Sequence, residues 1–383
     1  VYVENIPSNQ LDNWAFIQAD RFANPVLRGF HTELETIYEE KNMTLTSDSR
    51  KVFTALLEGI FPTHEYGTQT TIGTQEHIKN PSMKNIRMFH SQYYVPNNMA
   101  IALSGDFNPD EAIKIIDHYF GNLKPGNVPP FTPAVEKPIT SPVEKTVLGP
   151  DAANVMLGFR FPGAGTDDAL KLELLDMILS NSAAGMIDLN LNKKQKTLKA
   201  GSGCYILKDY SVQILYGTPK EGQTLKEVRD LLLEQIEAIK RGEFEDWLLP
   251  AIINDLKLRE IKEFENNDSR AHAYVDAFIL GQPWDVYISK IDRMAKFTKQ
   301  DIVDFANANF KDNYVIVYKE TGKDESIKKI AKNKLTKLDM NRDMESGMLR
   351  KVKESKVNEI EPVYVDFERD IATSNLKSNI PLY

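Results

Sequence analysis

An internal repeat constrains the fold of this chain more than any other feature. Residues 86–105, "IRMFHSQYYVPNNMAIALSG", align with residues 302–322, "IVDFANANFKDNYVIVYKETG". Ile86, Phe89, Tyr94, Asn97 and Ile101 meet Ile302, Phe305, Phe310, Asn313 and Val317 without a gap. Each copy reads as a short amphipathic helix, an Asn-bearing turn and an apolar strand, so the spacing predicts two domains of one architecture.

Punctuation divides the chain around these copies. The stretch "KPGNVPPFTPAVEKPITSP" (residues 124–142) carries enough proline to read as an extended linker rather than a packed element. The expected parts are therefore 1–123, holding helices and one clear strand; the linker 124–142; a second domain over 143–322; and a charged connector with a first strand of a following half over 323–383. Within the last part, "EPVYVDF" and "SNIPLY" read as strand-like runs. In "NPDEAIKIIDHYFG", Asn108 is an N-cap with Pro109 at the first helical position. "TDDALKLELLDMILSNS", "TLKEVRDLLLEQIEAIKRG" and "FTKQDIVDFANANF" have helical apolar spacing, whereas "NVMLGFRF" and "YSVQILYG" read as strands. Runs of helices between such strands predict an α+β fold with helices layered on a sheet.

Composition narrows the function. With 55 acidic against 47 basic residues the net charge is −8, so no basic field attracts nucleic acid or anionic lipid, and a peptide partner fits better. No run approaches the roughly eighteen apolar residues that span a bilayer. The single cysteine, Cys204, excludes an intramolecular disulfide framework and a cysteine metal site, and reads as a small core residue. Compartment is left unread by these features.

The stretch "FHTELETIYEE" (residues 30–40) threads four carboxylates among Phe, Leu, Ile and Tyr. Asn24 followed by Pro25 signals a helix start, from which Val26, Leu27, Phe30, Leu34, Ile37 and Tyr38 form one apolar stripe. Glu35 and Glu39 fall almost opposite it and read as solvated. Glu33 and Glu40, seven residues apart, differ by only about 20° in direction and border the stripe. They are expected to point the same way, half into the core, where a carboxylate must be paired, hydrogen-bonded or bound to a cation unless it snorkels out.

"NPVLRGFHTELETIYEEKN", "FPTHEYGTQTTIG" and "FHSQYYVPNNMAIALSGDFNPDE" together resemble the pitrilysin and insulinase family of zinc peptidases, the inverzincins. "AAGMIDLNLNKKQKTLKAGS" and "PKEGQTLKEV" are similar to that family's non-catalytic domain. The resemblance implies two homologous helix-on-antiparallel-sheet domains of the mitochondrial processing peptidase-like kind, the first incomplete here. It also implies a zinc metalloendopeptidase acting on peptides or unfolded polypeptides, with a second homologous half in the same or another chain. By that match Glu40 in "IYEE" is a zinc ligand, and Glu33 is the supporting acid that orients a ligand and tunes its basicity. Glu65 stands where such sequences carry proline, a small departure.

The family's two histidine ligands and glutamate base lie in an HxxEH motif. The histidines here are His31, His64, His77, His90, His118 and His272, and no pair has that spacing. The expectation is that the motif lies upstream of Val1, since the family places it much further from the ligand glutamate than the 39 residues available here. A non-catalytic scaffold or substrate-clamping subunit of the same family is the alternative reading. His64, beside Pro and Gly, reads as a residue that fixes a turn. "SGDFNPDE" reads as a helix cap, and "GAGTDDA" as a turn before a helix N-terminus, rather than metal or nucleotide loops.

Overall fold

A computed structural model describes residues 1–79, 81–325, 339, 341, 343–378 and 380–382. Contacts divide the chain into two compact units: residues 1–26, 105–123 and 338–383 form one, and residues 27–104 and 124–337 the other.

In the smaller unit the helix Leu11–Ala23 packs on the helix Pro109–Phe120. Phe16 meets Tyr119 at 5.8 Å between ring centres, and Tyr119 Oη donates to Asp12 at 2.9 Å. Asn108 caps the second helix as its sequence requires, accepting from the Asp110 and Glu111 amides. Residues 361–367, "EPVYVDF", form no strand: Val363, Tyr364, Val365 and Phe367 are exposed, and no strand among the described residues pairs with them. A short pairing of Ser374–Asn375 with Pro381–Leu382 is what the C-terminal strand signal produces among the described residues, Asn379 and Tyr383 of "SNIPLY" lying outside them. The charged connector lies outside them over residues 326–338.

The larger unit is built on a five-stranded sheet of β1 (Val143–Gly149), β2 (Asn154–Pro162), β3 (Lys199–Ile206), β4 (Tyr210–Thr218) and β5 (Tyr314–Thr321), in the order β1-β5-β2-β4-β3. All pairings are antiparallel except β1 with β5, which is parallel. β5 reads as a continuous apolar run because both of its faces are covered. Val315 and Val317 point to one side, while Tyr314, Ile316 and Tyr318 point to the other. On the second side the helices Asp167–Leu179, Leu225–Lys240 and Lys299–Asn309 bury Leu172, Leu175, Ile236 and Phe305 in the core, and Leu248–Glu263 packs on Asp167–Leu179. Capping boxes start two of them, Thr224 with Glu227 and Thr298 with Asp301. Thr166 caps a third after Gly165, whose φ of +85° favours glycine. At the outer edge of β3 the Asn192 carboxamide accepts from the Ala200 amide and donates to its carbonyl, both at 2.9 Å, standing in for a neighbouring strand.

The other face of the sheet is covered from the opposite half of the sequence, by the helix Asp48–Ile60. Val52, Leu56 and Ile60, spaced by four, make its buried stripe against Val212, Ile214, Val315 and Val317. Glycines on both partners let it sit close: a Cβ on Gly59 would lie 2.6 Å from Val315 Cγ1, and one on Gly158 would lie 2.5 Å from Ile60 Cδ1.

Two sequence expectations are corrected by the structure. The Asn24–Pro25 pair ends a helix instead of starting one: the Asn24 amide and side chain both bond back to Asp20, and the acidic helix runs from Phe30 to Thr46. The strand expected in the first repeat is absent. Residues 99–104 have no ladder partner among the described residues, and Ile101 is exposed where its counterpart Val317 is fully buried on an interior strand of the sheet. Phe89 is likewise 56 % exposed against 4 % for Phe305, because no described helix layer covers the first copy. Residues 124–142 hold no helix or strand, but they are not a free spacer. Buried Glu136 accepts from the Thr63 and His64 amides at 2.7 and 2.6 Å, satisfying backbone donors of the facing turn.

Candidate metal centre

The acidic helix Phe30–Thr46 buries one side chain, Tyr38; Phe30, Leu34 and Ile37 are half-buried, and Val26, outside the helix, is 77 % exposed. Glu35 and Glu39 lie on the solvated side as expected. Glu33 and Glu40 are exposed too, which corrects the expectation that they point half into the core. The stripe they border is thinner than its sequence suggests, because the helix begins after Val26 and Leu27 and, among the described residues, packs mainly against Asp48–Ile60 and the short helix Gln75–Lys79. Their common direction follows from the seven-residue spacing within one helix.

Among the described residues no group of three or more His, Cys, Asp or Glu side chains gathers in a way that holds a metal ion. Zinc takes three protein ligands and keeps one open position in a catalytic site. Glu40 matches a single carboxylate donor of that set; the described residues do not complete the set, and no chemical step is derived through the ion.

His64 fixes its turn. Its Nδ1 accepts from the Tyr66 amide at 3.1 Å, which leaves the proton of the neutral ring on Nε2, 3.4 Å from Asp209 Oδ2. The ring is 1 % exposed, packed at tilted and edge-on angles among Phe61, Tyr66 and Tyr210. Cys204 is half-buried; burial, then the charges of Asp176 and Glu173, push its thiol well up, so it is a poor nucleophile.

The polar group that sequence reading missed is a buried ion pair. Lys319 Nζ, on a side chain with no exposure, lies 2.8 Å from Asp48 Oδ2 and donates to the carbonyls of Gly149 at 3.1 Å, Ala152 at 3.3 Å and Asp151. Asp48 also accepts from the Asp151 amide at 2.9 Å, and Lys51 lies 3.3 Å away. Burial pushes the Asp48 carboxyl up, but hydrogen bonds from Lys319, the Asp151 amide and Lys51 outweigh it and hold the group below the usual carboxylate range. The signal was a lone lysine closing the apolar run "YVIVYKE".

With this geometry in place, comparison with known proteins gives a family likeness over part of the chain. Residues 82–256 match the family model described as the peptidase M16 inactive domain. That likeness covers somewhat less than half of the chain. The matched segment begins before the proline-rich stretch and runs through it. A zinc protease of Helicobacter pylori, PqqE, is 24 % identical over 255 residues, covering 63 % of this chain and 56 % of the relative. The chain thus spans about half the length of that curated relative. The crystal structure of a protease from Helicobacter pylori superposes with a TM-score of 0.74 at 21 % identity, covering 81 % of this chain and 76 % of that one. The periplasmic protease PqqL of Escherichia coli does so at 0.68 and 13 % identity, over 83 % of this chain and 37 % of its own. The α+β fold is that of the M16 peptidases, which bears out the resemblance read from the sequence. No helix among the described residues is long and apolar enough to cross a membrane.

Proposed function

We propose that this chain is part of a zinc-dependent metalloendopeptidase in which Glu40 is one metal ligand and Glu33 its supporting acid. The observation that carries the reading is the placement of these two acids on one accessible side of a helix that precedes an M16 inactive domain. In this reading residues 1–123 are the C-terminal part of the zinc-bearing domain, 143–322 are the non-catalytic homologue, and 124–142 join them. Two histidine ligands come from an HxxEH segment upstream of Val1. A second homologous half, in the same or another chain, helps enclose a peptide or unfolded polypeptide. When bound, zinc would lower the pKa of a water molecule towards 7 and polarise the scissile carbonyl.

The alternative, a scaffold or substrate-clamping subunit, is favoured by one observation: the matched segment is the family's inactive domain. Reading the gene upstream of Val1 separates the two, since an HxxEH supports the peptidase and its absence sinks it. The 383-residue chain itself is expected to bind zinc weakly and to cleave nothing, because a metal site needs all its ligands together. Tight stoichiometric zinc uptake by the purified chain, lost in Glu40→Ala, would overturn the assignment of the missing ligands to an upstream segment.

A further inference from the structure

The acidic helix has little packing of its own to hold it. Tyr38 is its one buried side chain, and Asn42 Oδ1 accepts from Gln75 Nε2 at 2.9 Å. To these and its contacts with Asp48–Ile60 and Gln75–Lys79 is added a covalent restraint. A single extended residue, Ser47 with φ −87° and ψ 111°, joins it to the helix Asp48–Ile60, so the two helices share one corner. The residue immediately after that corner is Asp48, the acid of the buried ion pair.

Two separate stretches, β5 and the end of β1 with the turn after it, build the receptacle for Asp48. β5 supplies Lys319, the β1–β2 turn supplies the Asp151 amide and the carbonyls that cradle the ammonium, and Gly149 supplies space. A Cβ on Gly149 would lie 1.9 Å from Asp48 Oδ1, so only glycine admits the carboxylate. Lys51, one turn along the helix, adds a bond of 2.6 Å to the Leu148 carbonyl and a contact of 3.2 Å with Asp324. A buried ion pair is a poor stabiliser compared with apolar side chains of similar volume, and its best-attested use is to specify one geometry among several.

We propose that Asp48 and Lys319 are positioning residues: through this latch the sheet of the inactive domain fixes the corner at Ser47, and with it the direction in which Glu33 and Glu40 point. Only the consequence for metal binding rests on the reading given above; the latch itself concerns the helix. Glu40 stands six residues before Thr46, about 9 Å along the axis. A 10° swing at the corner therefore displaces it by about 1.5 Å, beyond the roughly 0.5 Å to which a functional constellation must be held.

The test is amide hydrogen exchange on the 383-residue chain in three forms: unmodified, Asp48→Asn, and the double variant Asp48→Leu/Lys319→Met. Asp48→Asn keeps the shape and the acceptor for the Asp151 amide while removing the charge. The double variant removes both charges at once, so neither is left buried without its partner and the local effect is separated from the penalty of an unpaired charge. The expected result is exchange at least about tenfold faster over residues 33–43 in both variants, with residues 225–240 on the far side of the sheet unchanged. A uniform change across both regions, or none over residues 33–43, would show that the pair contributes stability alone and overturn the proposal. Glu40→Ala is the control. It leaves the exchange pattern unaltered if the latch acts as stated, whatever the upstream gene sequence reveals about zinc, so failure of the latch and failure of the metal reading are separately visible.

Discussion

Replacing Leu56 with alanine tests whether the helix Asp48–Ile60 is part of the sheet's core or a neighbour resting on it. Leu56 is fully buried in the seam, between Gly158 below and the Val52 and Ile60 turns of its own helix. Removing three carbons from such a site forfeits about 2.4 kcal/mol of transfer free energy at ~0.8 per methylene. The cavity left behind raises the total to about 3–5 kcal/mol. The reverse change on the facing strand, Gly158→Ala, inserts a methyl group 2.5 Å from Ile60 Cδ1 and 3.1 Å from Leu56 Cδ1, an overpacking that costs about 1–3 kcal/mol. Together the two changes should cost less than their sum, because the shortened residue 56 opens space into which Ile60 and the new methyl relax, with a coupling of about 0.5–3 kcal/mol. Urea unfolding in a Trp14→Phe background reads this out, since Trp247 and Trp284 then report from the helices beyond the opposite face of the sheet. If Leu56→Ala left that transition within about 0.5 kcal/mol of the parent, or if the two changes added, the helix would not share one cooperative core with the sheet and the description of the seam would be wrong.

Two further outcomes follow from titrating groups. Asp48 has its carboxyl pKa held below the ordinary value of about 3.9, so its contribution to stability is fully present above that pH and is lost as pH falls through the lower folded value. The stability difference between the parent and Asp48→Asn should therefore be constant near neutrality and shrink below about pH 4; a difference that grew on acidification would contradict the hydrogen bonds assigned to the carboxylate. Cys204, its thiol pushed up by burial and by neighbouring acids, should react with iodoacetamide at pH 8 far more slowly in the folded chain than in urea; equal rates would refute the assigned environment.

What the sequence made legible was mostly what single segments decide for themselves. The caps at Asn108, Thr166, Thr224 and Thr298 are local hydrogen bonds to the next turn, and each sits where its residue type and spacing place it. The direction shared by Glu33 and Glu40 is likewise a property of helical spacing. Their exposure is not, because it depends on what covers the helix. Asn24 shows the same limit within a few residues: an Asn–Pro pair suits either end of a helix, and the bonds to Asp20 decide which. The repeat is the sharpest case. Its two copies carry matching apolar positions, yet Val317 is flanked by β1 and β2 while Ile101 has no strand beside it. Pattern fixes which side of an element is apolar, and tertiary partners fix whether that side is buried.

One long-range joint nonetheless left a mark in a short run. In "YVIVYKE" an ammonium follows five apolar or aromatic residues on a strand whose neighbours cover both faces, so Lys319 requires an anion and several carbonyls inside the protein. The carbonyls come from the turn that pairs with its own strand, a local matter. Its carboxylate has to arrive from elsewhere, and an acid that pays its desolvation there must itself be held by more than one donor. Asp48 meets that condition, with Lys319, Lys51 and the Asp151 amide around it and Gly149 giving it room. It also opens a helix whose buried stripe, Val52, Leu56 and Ile60, repeats every fourth residue, so the acid and the apolar face reach the same sheet together. A charged residue inside an apolar strand and an acid at the head of a one-sided helix are thus two halves of one signal, each ambiguous until the other is found.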